Sequence, residues 1–189
     1  MRKIVSAYEK RKKDRIKQLI VGGILVFIMF FSVIGYAFRG KENNEKTTIN
    51  YNELKFVNQN GFWFLNLENL NFVFKYNPNE IERIDSELKY INNYHGKPLY
   101  VSSESNEAEL EIYRNLDQIV QRIQPACLDE ECDEDENLAV KNCTDNFIII
   151  KKDDVSKIEQ EDNCVFISAP QENLTGMTDE FLFKILSIT

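Results

Sequence analysis

The chain has 189 residues, 43% of them hydrophobic, and a formal net charge of −8 at pH 7. Residues 1–39 carry nine Lys and Arg against two Asp and Glu, a net of +7, whereas residues 40–189 carry fourteen against twenty-nine, a net of −15. The acidic part lacks the clustered cations that displace counterions from nucleic acid, so we do not expect it to bind DNA or RNA.

The first element is an uncharged run of twenty residues, Leu19–Phe38, which is long enough as a helix to cross a bilayer. Lys and Arg concentrate before this run, and the excess of positive charge predicts an N-terminus in the cytoplasm. The predicted organisation is a basic cytoplasmic tail (1–18), a transmembrane helix (19–38), a juxtamembrane linker (39–50) and one extracytoplasmic domain (51–189).

The apolar run has two alternative interpretations. A cleaved signal peptide has a shorter apolar core and a small-x-small cleavage site, and Gly35-Tyr36-Ala37 matches that site poorly. We therefore favour an uncleaved signal anchor. The basic tail is interpreted as a topology signal, with contact to anionic lipid headgroups as its functional alternative.

The segment after the linker predicts a three-stranded antiparallel meander. Asn60-Gly61 is typical of a type I′ hairpin turn, and Glu68-Asn69 is a second candidate turn of two residues. Together the turns place Leu65 opposite Phe56 on one side and Phe72 on the other, so both predict the same apolar face. That face consists of Leu54, Phe56, Trp63, Leu65, Leu67, Leu70, Phe72, Phe74 and Tyr76.

The opposite face of the meander also carries aromatic residues. Its members are Phe62, Phe64, Asn66, Asn71, Val73 and Lys75. A second core layer is the simpler interpretation of this face. Exposed aromatics would instead mark a partner surface.

A helix is predicted from Asn77, because Asn77-Pro78-Asn79-Glu80 supplies an N-cap, a proline at the first helical position and a Glu at the third. The apolar residues that follow at helical spacing are Ile81, Ile84, Leu88 and Ile91. The helix is expected to end at His95-Gly96. His95 is the single histidine, and a capping role at the helix end is preferred to catalysis.

The remaining elements alternate in type. The patterns predict a strand at Pro98–Ser102, a long helix capped by Asn106 and stopped by Pro125, strands at Phe147–Lys151, Ser156–Gln160 and Cys164–Ser168, and a last helix at Asp179–Ser187. The predicted fold class is α+β: an N-terminal transmembrane helix followed by a mixed domain with an antiparallel β-meander, in the order βββ-α-β-α-βββ-α.

The four cysteines all follow the predicted span, as expected of disulfides formed outside the cytoplasm. A hairpin turning at Asp153-Asp154 brings residue 143 opposite residue 164, which predicts Cys143–Cys164 and leaves Cys127–Cys132 to close a small acidic loop. A zinc site and a redox-active pair are alternatives. Four dispersed thiols with one remote histidine argue against zinc, and the Cys127–Cys132 spacing is wider than Cys-x-x-Cys.

Two further patterns suggest binding or modification. The acidic run Asp129–Glu136 has seven carboxylates, but Leu138 and Thr144 replace the Gly and bidentate Glu that a calcium loop requires. A solvated loop is therefore predicted, with low-specificity cation binding as the alternative, and no metal site or cofactor is assigned. Asn142 and Asn173 begin glycosylation sequons, of which Asn173 is the better candidate.

No catalytic residue is assigned from the sequence. It has no Gly-x-Ser-x-Gly elbow, no phosphate-binding glycine loop and no His-Glu-x-x-His helix. The acidic residues Glu107, Glu109 and Glu111 point in different directions on a helix and are interpreted as a solvated face.

Three short stretches behind the N-terminal anchor carry a resemblance. IYRNL (Ile112–Leu116), RIQPAC (Arg122–Cys127) and DNCVFI (Asp162–Ile167) resemble a group of small uncharacterised archaeal membrane proteins. The resemblance implies an archaeal source and a cell-surface setting, and it transfers no functional residue.

The leading hypothesis is a single-pass membrane-anchored surface protein with a protein partner in the envelope. Its acidic, disulfide-stabilised ectodomain would act in envelope assembly or recognition. Two alternatives stay open: an extracytoplasmic enzyme or thiol-redox factor, and an accessory subunit of a membrane transport or secretion complex.

Overall fold

A computed structural model describes residues 7–39, 47–128 and 138–189, with the side chains of the first range described for residues 15–32. The chain divides into two compact units, Met1–Glu45 and Lys46–Thr189. The described part of the first unit is one helix, α1 (Ala7–Arg39). Its window Arg15–Ser32 has a mean hydropathy of 1.7 and no buried residue. The helix is therefore long and apolar enough to span a membrane.

The second unit begins with a four-stranded antiparallel sheet. Its strands are β1 (Thr48–Tyr51), β2 (Leu54–Gln59), β3 (Phe62–Leu67) and β4 (Leu70–Phe74), paired in chain order. Phe56 pairs with Leu65 and Leu65 with Phe72, which confirms the predicted meander register. Asn60 and Gly61 have φ values of 55° and 79°, as the predicted turn requires. Strand β1 is additional and starts in the stretch predicted as the end of the linker.

The helix predicted between Asn77 and His95 is absent. The capping interactions form, since the amide of Asn79 donates to Asn77 Oδ1 at 2.9 Å and the amide of Asn77 donates to Glu80 Oε2 at 2.9 Å. The chain then runs without helical structure to a short 3₁₀ turn at Ile91–Asn93. Ile84 and Leu88 still reach the core, because a spacing of four residues also places both on one side of an extended segment.

The second sheet is mixed and has six strands. The remaining elements are β5 (Pro98–Ser103), α2 (Asn106–Leu116), β6 (Arg122–Leu128), β7 (Ala139–Lys141), β8 (Asn146–Lys152), β9 (Lys157–Glu161), β10 (Cys164–Ala169) and α3 (Leu174–Ile185). The strand order is β7-β6-β5-β8-β10-β9. Adjacent strands are parallel except for the β9–β10 pair.

Two sequence predictions are wrong in the part of the chain that forms the six-stranded sheet. The helix predicted to run to Pro125 is capped by Ser105 and ends at Leu116, and Pro125 lies inside β6. Pro125 precedes Ala126, the first β6 residue paired with β7, so the proline lies beside an incomplete ladder. The predicted β8–β9 hairpin does not form either, because β10 lies between these strands.

The core lies around α3, between the two sheets. Every residue of α3 is buried except Lys184. Phe183 packs against Phe74 and Phe56 of the meander, with ring centroids 4.6 and 6.1 Å apart. Residues of β8 and β10 belong to the same apolar cluster. The α+β class and the meander are therefore confirmed, while the observed order after α1 is ββββ-β-α-βββββ-α rather than the predicted one.

Candidate functional site

The strongest candidate site is the meander face turned away from the core, called the outer face below. It is formed by Lys55, Val57, Phe62, Phe64, Asn66, Asn71, Val73 and Lys75. Phe64 is 37% exposed, and Phe62 is half-buried. A second core layer, the simpler interpretation from sequence, is wrong, because in the described chain this face is partly open to solvent.

Two cations lie against the aromatic residue at one end of the outer face. Arg114 Cζ is 4.7 Å and Lys75 Nζ is 5.3 Å from the centroid of the Phe62 ring. At these distances a cation is attracted to the ring face. None of the eight residues of the outer face is acidic, although residues 40–189 have a net charge of −15. The outer face is therefore aromatic and basic within a strongly acidic domain.

Helix α2 and the turn that follows it close the neighbouring sheet edge with amide side chains. Asn115 Oδ1 accepts from the amide of Val73 at 2.8 Å, and Asn115 Nδ2 donates to the carbonyl oxygen of Val73 at 2.8 Å. Gln118 Nε2 donates to the carbonyl oxygen of Asn71 at 2.9 Å. The amides occupy positions where another strand would bind, so this edge of the sheet is closed to a further strand.

Two acidic side chains are buried beside Arg114. Glu111 is 2% exposed and Asp179 is fully buried, so the predicted solvated face is wrong for Glu111. Burial raises the pKa of both carboxyls, and the adjacent Glu111 carboxylate further raises the pKa of Asp179. Arg114 opposes the rise in the pKa of Glu111, because its Nη1 forms an ion pair with Glu111 Oε1 at 2.7 Å. Because both acids are closed to solvent, they are not arranged as a catalytic pair acting on a substrate.

The predicted pair Cys143–Cys164 is disulfide-bonded, with a Cα–Cα distance of 4.9 Å. The reason differs from the predicted one, since β10 pairs with β8 and places Cys164 opposite Phe147. The amide of Asn163 also donates to the carbonyl oxygen of Cys143 at 3.2 Å. Cys132 and the run Asp129–Glu136 lie outside the described residues, so the Cys127–Cys132 pair and the solvated acidic loop stay predictions.

The other singled-out residues are dispersed. Asn142 is exposed, and its Oδ1 accepts from the amide of Thr144 at 3.0 Å. Asn173 is exposed at the start of α3, and His95 is exposed after the 3₁₀ turn. Glycosylation of Asn142 or Asn173 stays a prediction. Across the residues that the structure describes, no three His, Cys, Asp or Glu side chains are grouped to hold a metal ion.

A crevice of about 380 Å³ lies at the carboxyl ends of β5 and β6, where parallel sheets commonly bind ligands. Its polar groups hold the local backbone. Ser103 Oγ donates to the carbonyl oxygen of Ser105 at 2.9 Å, and Glu104 Oε2 accepts from the amide of Lys152 at 2.9 Å. Neither side chain is positioned as a nucleophile beside a general base.

No protein-family model, no curated protein and no solved structure matches this chain. The resemblance to archaeal membrane proteins therefore stays a prediction.

Proposed function

We propose that this chain is a single-pass membrane protein whose exported domain acts in envelope assembly or recognition. The exported domain binds an acidic, partly apolar segment of a partner protein through the outer face of the meander. The observation that carries the proposal is the placement of Phe62 beneath Arg114 and Lys75, next to the exposed ring of Phe64.

The apolar helix and the charge distribution support the membrane part of the proposal. The apolar window of α1 is exposed along its whole length, which suits a lipid environment better than water. The excess of Lys and Arg before this window favours a cytoplasmic N-terminus. The domain that follows is then extracytoplasmic, where the Cys143–Cys164 disulfide is stable.

Charge complementarity supports an acidic partner. Lys55, Lys75 and Arg114 are exposed on or beside the outer face, whereas the rest of the domain is dominated by carboxylates. An acidic segment is attracted to this face and repelled by the remaining surface, which favours one binding orientation. The rings of Phe62 and Phe64 supply the apolar contact area that anchors such a segment.

The test uses a photo-crosslinking amino acid at position 64 of the full chain in intact cells. The control carries the same group at Tyr90, an aromatic residue that is 62% exposed and lies outside the outer face. We expect a crosslinked product from position 64 and none from position 90. Mass spectrometry of that product should identify a partner peptide rich in Asp and Glu.

A charge reversal separates specific binding from proximity in the membrane. Lys55→Glu combined with Lys75→Glu should abolish the crosslink at position 64, because the modified face repels an acidic segment. Equal crosslinking from positions 64 and 90, or a crosslinked peptide without acidic residues, contradicts the proposal. An accessory subunit of a transport or secretion complex fits the same surface, and the identity of the crosslinked partner distinguishes that role.

An enzymatic or thiol-redox role has less support from the described residues. Cys164 is fully buried, so the Cys143–Cys164 disulfide is poorly accessible to a substrate thiol. The redox alternative predicted for Cys127 and Cys132 stays a prediction, since Cys132 lies outside the described residues. Ser103 and Glu104 are engaged with neighbouring backbone groups. We therefore keep recognition as the proposed function.

A further inference from the structure

We infer that Glu111 of α2 and Asp179 of α3 share one proton at neutral pH, which makes the contact between these two helices a pH-sensitive element of the fold. This inference does not require that the outer face bind a partner, although Arg114 contributes to both sites. It starts from the hydrogen bonds of the two buried carboxyl groups.

One oxygen of each carboxyl group has a clear donor. Arg114 Nη1 donates to Glu111 Oε1 at 2.7 Å, and the amide of Tyr76 donates to Asp179 Oδ2 at 2.8 Å. The other oxygens, Glu111 Oε2 and Asp179 Oδ1, are buried and receive no N–H or O–H from the described residues. Helices α2 and α3 pack against each other, and the two carboxyl groups interact electrostatically. Two ionised carboxylates have no donor between them, whereas a single proton supplies one and satisfies both oxygens.

The charges around the pair favour binding of one proton. Arg114 on α2 is the cation in direct contact, and Lys75 after β4 is a more distant one. Asp179 receives a neutral amide from Tyr76 and faces the Glu111 carboxylate. One adjacent cation compensates one of two buried negative charges. Desolvation accordingly raises the pKa of both carboxyls, and repulsion from the Glu111 carboxylate further raises the pKa of Asp179.

The sign of the pH effect follows from proton counting. The ordinary pKa values of Asp179 and Glu111 are 3.8 and 4.5, so the unfolded chain releases both protons above this range. The folded pair keeps a proton at higher pH, so the folded state binds more protons and is favoured by acid. This contribution is fully present below pH 3.8 and is lost as the pH rises through the raised pKa of the folded pair. Within that window the unfolding equilibrium constant increases by up to about tenfold per pH unit.

The test compares the full chain with Asp179→Asn in denaturant unfolding from pH 4 to pH 8. The Asn side chain keeps an acceptor for the amide of Tyr76 and supplies an N–H to Glu111 Oε2 without a titrating proton. The ratio of the variant's unfolding constant to that of the wild type should therefore fall as the pH rises. Burial also raises the pKa of Glu180, so the wild type and the variant are compared in an infrared difference spectrum at pH 7. The difference should show the band of a protonated carboxyl group that the wild type has and the variant lacks.

A second variant and a control keep the test decisive if Asp179→Asn folds poorly. Glu111→Gln also replaces the shared proton with an amide N–H and should lose the same infrared band. Glu107→Gln alters an exposed acid on the same helix and should match the wild type in both measurements. Identical pH dependence in the wild type and Asp179→Asn, or no protonated carboxyl at pH 7, overturns the inference.

Discussion

A single amide side chain in this protein makes the hydrogen bonds that a neighbouring β-strand usually makes. Asn115 is fully buried and binds both hydrogen-bonding groups of Val73 at the edge of the meander. Arg114, the preceding residue, connects the outer face to the interior, because it lies over Phe62 and pairs with Glu111. Consecutive residues of α2 thus hold an edge strand and a candidate binding surface.

Replacement of Asn115 tests this role at the residue scale. Asn115→Ala leaves the amide and carbonyl of Val73 without their partner, and the free energy of unfolding should fall by about 1–3 kcal/mol. Gln118→Ala removes an exposed side chain that donates to the carbonyl oxygens of Asn71 and Asn115, and it should change the free energy of unfolding by less than about 0.5 kcal/mol. Urea unfolding of the full chain measures both. Equal effects of the two substitutions would show that Asn115 does not close the edge.

The segment between the two sheets shows why a helix can be predicted wrongly from local sequence signals. Asn77 and Glu80 make the local bonds of a helix start, yet the residues that follow are extended and place Ile84 and Leu88 against the core. Lys89 fixes the end of this segment, because its amide donates to Gln160 Oε1 at 2.8 Å and Nζ donates to Asn163 Oδ1 at 2.8 Å. Tertiary contacts on this side override the helical spacing.

A proline scan discriminates the extended segment from a helix. Glu87 is exposed, and its amide makes no backbone hydrogen bond within the described residues, so Glu87→Pro should cost less than about 1 kcal/mol of folding free energy. Leu110→Pro, at an exposed position inside α2, should cost about 3 kcal/mol or more because it removes a helical hydrogen bond. Thermal unfolding provides the comparison. A large loss with Glu87→Pro would indicate a helix there.

For the molecule as a whole, the disulfide and the proposed membrane anchor both imply that the domain lies outside the cytoplasm. Cys143 and Cys164 are bonded across a sequence separation of 21 residues, a loop closure worth about 3 kcal/mol. Such a bond persists in oxidising compartments and is reduced in the cytoplasm. The oxidation state of the cysteines therefore tests the proposed extracytoplasmic location of the domain.

This dependence predicts an outcome for the cysteines in cells. When thiols are alkylated at lysis, the full chain should carry no alkylated cysteine, and peptide mapping should recover Cys143–Cys164 and Cys127–Cys132. A control chain without residues 1–38 remains in the cytoplasm and should be alkylated at its cysteines. Alkylated cysteines in the full chain would contradict both the disulfides and the proposed orientation.

Residue patterns along the chain are sufficient to predict the apolar helix, the meander register and the strands β5, β8, β9 and β10. Each depends on local information: a run without charge, a turn with two positive φ values, or short apolar strands bounded by turn residues. These patterns also indicated the pair Cys143–Cys164, although through a hairpin that does not exist.

Four features could not be predicted from the sequence: the non-helical course after Asn77, the strand around Pro125, the insertion of β10 between β8 and β9, and the burial of Glu111 and Asp179. These features depend on partners far away in the sequence. A spacing of four apolar residues suits both a helix and an extended chain, and a Glu on a helix has no sequence signal that indicates a buried acid opposite it. The spacing of apolar residues indicates which side of an element is buried, whereas tertiary packing determines which residues that side contacts.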